Sequence, residues 1–173
     1  MKPEFRRANH TFVVSDIHLS NAEPPHPHNP LWKRYKHRMF FVDQTFANFL
    51  RHTQQLAAGE KIELVLNGDI FDFDSVMTLP KGPDQPKFHL SWLERQRGMA
   101  SEEPKSRFKM LQILQDHPAW IAALREFVLA GNRLIFVIGN HDMELHWPGV
   151  QSAIRDALAL PKEELAAPRK AET

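Results

Sequence analysis

Three short polar clusters hold the side chains of this sequence best suited to gripping a metal ion: Ser15-Asp16-Ile17-His18, Asn67-Gly68-Asp69 and Gly139-Asn140-His141-Asp142. Asp16 and His18 stand two residues apart, so in a locally extended segment both side chains point the same way and can chelate one ion. A carboxylate oxygen together with an imidazole suits a borderline metal such as Mn, Fe, Co or Zn. Asp69 follows Gly68, which lets the backbone turn tightly, and its two oxygens can bridge a pair of ions. Asn140 offers a neutral amide oxygen that ligates without adding negative charge. His141 sits beside it, and Asp142 is placed to hold the ring in one tautomer. Asp72 reads either as a partner that orients a ligand or as a solvated acid in a loop. Taken singly, each cluster has a structural explanation: Asp16 as a helix cap, Gly68-Asp69 as a turn, Asn140-His141 as a helix start. Taken in order, each directly after an apolar run, they ask for a common cause.

Those runs are Thr11 to Val14, Ile62 to Leu66 and Leu134 to Ile138, all short, rich in Val, Ile or Leu, and without alternation. They predict buried strands of a parallel sheet. Between the first two, Met39, Val42, Phe46, Phe49, Leu50 and Leu56 recur at helical spacing, with Asp43, Gln44, Asn48, Arg51 and Gln55 between them. That pattern is an amphipathic crossover helix. Before the third run, Trp120, Ile121, Leu124, Phe127 and Val128 repeat the stripe, with Pro118 at a first helical position and Gly131 just past the end. Strands alternating with helices imply an α/β sheet. Ligands of such open sheets bind beyond the carboxyl ends of the strands, so the three clusters are expected to converge there. The proline-rich stretches Asn21 to Leu31 and Pro80 to Pro86 predict irregular loops. The organisation expected is one α/β domain over residues 1–160 with a frayed tail over 161–173.

Composition narrows the alternatives. A chain of 173 residues, 42% hydrophobic and 25% charged, is a globular protein of about one domain. Its 22 basic and 21 acidic side chains nearly cancel, so no overall field argues for a polyanionic partner. With no cysteine, disulfides, thiolate metal sites and a cysteine nucleophile are excluded. No stretch approaches the roughly 20 apolar residues of a membrane span. The run from Phe12 to Val14 is too short for a signal-peptide core, and a cytoplasmic location is the default expectation. The basic run Lys33 to Arg38, with Trp32 and Tyr35, reads as a solvated loop or helix entry rather than a surface for single-stranded nucleic acid. His26, His28, His89, His117 and His146 have no motif around them and are expected at the surface, His146 lying nearest the third cluster.

The motifs D-x-H, G-D-x-x-D and G-N-H-D, here Asp16 to His18, Gly68 to Asp72 and Gly139 to Asp142, resemble the calcineurin-like metallophosphoesterase superfamily over about the first 145 residues. The resemblance implies that Asp16 and His18 bind a first metal, that Asp69 bridges two, and that Asn140 binds the second. It further implies that His141, paired with Asp142, stabilises or protonates the leaving oxygen. The fold implied is an α/β/β/α sandwich, mainly parallel, with flanking helices. The activity implied is hydrolysis of a phosphate monoester, diester or pyrophosphate by a hydroxide activated by two divalent ions (Mn, Fe, Zn or Co). A phosphate ester is the expected substrate, with nucleic acid entering only in that role. No histidine follows His146, whereas the resemblance calls for a further histidine and a later G-H-x-H. The expectation is therefore the N-terminal half of the sandwich, holding one ion in place of two and impaired in activity. The alternative is a non-catalytic remnant serving as a metal-binding or structural module.

Overall fold

The computed structural model describes residues 8–21, 42–82 and 86–159. Strands β1 (His10–Val14), β2 (Ile62–Asn67) and β3 (Arg133–Val137) form one parallel sheet in the order β1-β2-β3. Helix α1 (Asp43–Leu56) lies between β1 and β2 in the chain. Three helices, α2 (Trp92–Arg97), α3 (Glu103–Asp116) and α4 (Pro118–Leu129), lie between β2 and β3. A 3-10 turn (Met143–His146) and α5 (Pro148–Leu158) follow β3.

The strands, α1 and α4 stand where the hydrophobic pattern put them. Met39, the segment Trp32 to Arg38, most of the first proline-rich stretch and the tail lie outside the described residues. Pro118 opens α4, and Gly131, at φ +80°, turns the chain out of it while its amide donates to the Val128 carbonyl at 2.8 Å. Helices α2, α3 and α5 were not anticipated. In α3 the inward positions include Lys105, Ser106 and Lys109 beside Phe108, Met110 and Ile113, so its apolar stripe is broken by polar residues. Helix α2 is only six residues long and rests on a reciprocal cap, Ser91 Oγ accepting from Glu94 N while Glu94 accepts from Ser91 N.

Burial corrects the expectation of strands covered on both sides. Ile62, Leu64 and Leu66 are buried, and in register with them Phe12, Val14, Leu134 and Phe136 pack on the same core. The alternate positions look outward: Val13 is 62% exposed, Val137 is 40% exposed, and the row of Thr11, Glu63 and Arg133 carries the Arg133–Glu63 ion pair at 2.8 Å. A run without sequence alternation thus hides a two-faced strand, because Val and Ile occupy both faces.

The covered face meets an aromatic core. The ring of Trp120 on α4 stacks on Phe46 of α1 at 5.5 Å and meets Phe71 edge-on at 5.6 Å, and Phe71 stacks on Phe136 of β3 at 6.2 Å. His117, expected at the surface, is fully buried at the α3–α4 junction. Its Nδ1 lies 2.7 Å from the Asp43 carboxylate and its Nε2 lies 2.7 Å from the Ser20 carbonyl. Through these two contacts the histidine ties α1, α4 and the loop after β1 together.

Candidate metal centre

Beyond the carboxyl ends of the three strands, the loops stay in register for several residues. Asp16 N donates to Gly68 O at 3.2 Å, His18 N to Asp69 O at 3.0 Å and Leu19 N to Ile70 O at 2.8 Å, while Gly68 N donates to Val137 O at 3.0 Å. Such pairing brings the first two clusters side by side. The third is drawn in at a point of close approach between two glycines. A β-carbon on Gly68 would stand 3.2 Å from the Gly139 Cα, and one on Gly139 would collide with the Asp69 carboxylate and amide. Position 139 therefore admits only glycine, and at position 68 the tight contact adds to a φ of +79° that favours it.

Asp16, His18 and Asp69 each offer a ligand atom, and these atoms lie within 4.8 Å of one another. A second group within the same limit consists of His18, Asp72 and His141. The sequence expectation of convergence at one edge is therefore met, but by another local geometry. Asp16 (φ 56°), His18 (φ 53°) and Asp69 (φ 54°) all occupy the left-handed region, not an extended segment. Side chains other than glycine hold that conformation at a cost of about 1 kcal/mol each, less for Asp than for most.

Two further assignments change. Asp142 does not hold the His141 ring. Its Oδ2 accepts from Ile70 N at 2.8 Å and more distantly from Phe71 N, and its Oδ1 accepts from Gly139 N at 2.6 Å. Fully buried, it fastens the second loop to the third. Asp72 is the acid near His141, and it is not a solvated loop residue: Ser75 N donates to it at 3.1 Å and Ser75 Oγ at 2.5 Å. The spacing G-D-x-x-D was the signal that could have placed it in the site.

Asp69 Oδ1 accepts from His141 N at 2.9 Å, which leaves its other oxygen uncommitted. His141 Nδ1 is enclosed and has no hydrogen-bond partner. Its ring meets that of His18 edge-on at 4.9 Å. An enclosed ring nitrogen without a protein partner costs about 1–3 kcal/mol. The His141 ring also belongs to the donor group with His18 and Asp72, a mixed oxygen and imidazole set that fits a divalent ion. Asn140 is exposed next to it. Behind the Asp72 loop, buried Lys109 on α3 faces the charges of Asp72, Asp74 and Glu144; burial lowers its pKa and raises that of Glu144. Among the other histidines, His89 is exposed, and His146 is exposed with Nδ1 2.6 Å from the Met143 carbonyl, both apart from the two donor groups. His26 and His28 lie outside the described residues.

The family pattern described as calcineurin-like phosphoesterase matches residues 10–167. This chain belongs to that family. The match continues past residue 145, where the motifs alone would have ended it, and takes in nearly the whole chain. Together with two groups of His and Asp donors, it does not support the expectation of a site left half-built. No curated protein and no solved structure matches. Membership carries metal-dependent phosphoesterase chemistry as the family's trade, and among the described residues no helix is long and apolar enough to cross a membrane.

Proposed function

We propose that the chain hydrolyses phosphate esters at a pair of divalent ions held by the three loops. The observation that carries this is the meeting of Asp16, His18 and Asp69 within 4.8 Å, each in a left-handed backbone conformation that contributes nothing to folding alone. In this reading Asp16, His18 and Asp69 would hold one ion and Asn140 would contribute its amide oxygen toward a second. Divalent ions there supply Lewis-acid charge that acidifies water and offsets negative charge building on the phosphate. Manganese suits the mixed oxygen and imidazole donors, as do iron, cobalt and zinc.

His141 acts on the leaving oxygen. Its Nδ1 is enclosed, so Nε2 is the nitrogen able to donate a proton there. Asp72, fixed by Ser75, is the acid standing near the ring in the donor group with His18, in place of Asp142. Hydrolysis by this route needs no covalent intermediate, because a metal-activated water would be the nucleophile.

Hydrolysis of bis-nitrophenyl phosphate with added manganese tests the reading. Turnover is expected to require the metal, to stop with a chelator, and to fall by at least about a hundredfold in Asp16→Asn, whose amide keeps the left-handed backbone but loses the charge. Turnover that survives the chelator, or an Asp16→Asn protein as active as the parent, would refute it.

A further inference from the structure

A groove of about 400 Å³ opens beside the metal centre, between the end of β1 and the first turns of α1. Val14, Ile17, Val42, Phe46 and Phe49 wall it, Thr45 stands at it from the exposed side of α1, and Asp16 belongs to both the groove and the donor cluster. Ile17 sits in the chain between the two cluster residues Asp16 and His18. The ring of Phe49 is steadied by edge-on contact with Phe12 at 6.3 Å and by Phe46 at 6.1 Å. Val14, Ile17, Val42 and Phe49 remain only half-buried, so apolar surface stays open on the groove side.

Among the described residues, no Lys, Arg or His lines this groove. A second phosphate or a carboxylate would find no counter-charge on these walls. A hydrocarbon group attached to a phosphate held at the cluster would meet the groove directly, because the two share Asp16. Apolar walls with a few convergent polar groups at one end are the usual build of a site for a small amphiphile.

We infer that the groove takes the uncharged hydrocarbon part of an alkyl or aryl phosphate ester, so that the chain prefers amphiphilic substrates over small or multiply charged ones. This rests on the metal reading above and extends it to a substrate class.

Calorimetry with alkylphosphonates from methyl to decyl, on the full chain supplied with manganese, tests it without requiring turnover. Affinity is expected to rise roughly twofold to fourfold per added methylene until the groove is filled. Thr45→Trp, which fills the groove without adding charge, is expected to abolish that dependence and leave methylphosphonate binding unchanged. Thr45→Val, which keeps the shape, is expected to behave as the parent. Methylphosphonate binding with no dependence on chain length would overturn the groove and leave the metal reading standing. An unchanged slope in Thr45→Trp would overturn it too, and manganese-dependent binding of no phosphonate at all would overturn both.

Discussion

Asp142 holds the candidate centre together without facing it, and that separates two kinds of carboxylate at the site. Its oxygens are occupied by the amides of Ile70, Phe71 and Gly139. In Asp142→Asn the amide nitrogen must face one of those donors, leaving a buried N–H unpaired. We expect thermal unfolding to report a loss of about 2–4 kcal/mol, with a lower Tm even in the absence of metal. Asp72→Asn should do the reverse, leaving Tm within about a degree or two and changing manganese affinity and the pH profile of turnover, because its carboxylate belongs to the donor group with His18 and His141. Equal destabilisation by the two substitutions would contradict this division. The residue types at the centre were readable in the sequence, as was their order. Which acid serves His141 was not, because adjacency in the chain favoured Asp142 while the turn at Asp142 aims its carboxylate at backbone amides.

The loop after β2 shows how an element positions chemistry. Asp69 and Asp72 alternate with Ile70, Phe71 and Phe73, all three fully buried, so the acids are set by hydrophobic anchors on either side. Phe71 is the central one, touching Trp120, Phe73 and Phe136. Phe71→Ala is expected to cost about 3–5 kcal/mol by denaturant unfolding and to weaken metal binding in whatever folds; a loss below about 1 kcal/mol would show that the anchor is not Phe71. The α2–α3 junction is tied separately, Lys105 reaching Glu94 at 2.5 Å and Glu102 at 2.7 Å. Glu94 is held down to about 2 from 4.5, chiefly by Lys105, then by the amides of Ser91 and Ala100. A carboxylate with a lowered folded pKa adds stability above its unfolded value, and that contribution fades as pH falls from about 4.5 toward 2. The Tm gap between the parent and Glu94→Gln should therefore be open near neutral pH and close in that window, whereas a gap independent of pH would rule the tie out as its source. Neither α2 nor α3 was legible beforehand, since one is too short for a period and the other turns two lysines inward.

Among the described residues, the parallel sheet lays its helices over one face and gathers three loops at one end. The hydrophobic runs foretold the sheet and the end where ligands bind, because burial at the covered face selects Val, Ile and Leu strongly. They could not foretell that the other face stays partly open, since the same residues appear at Val13, Val65, Ile135 and Val137 on that side. The left-handed turns at Asp16, His18 and Asp69 also left no sign in residue spacing, because that conformation is set by tertiary contact between loops. What unites these scales is the claim that the three loops exist to hold divalent metal, and a manganese titration by calorimetry of the parent chain and of Asp69→Asn addresses it directly. The amide oxygen introduced by that substitution can still accept from the His141 N–H, and asparagine tolerates the left-handed backbone, so the fold should survive with an unchanged Tm while the ligand charge is lost. The account predicts saturable manganese binding by the parent and its loss, by a factor of at least about a hundred in affinity, in the variant. Absence of binding by the parent, or equal affinity in the two proteins, would contradict it.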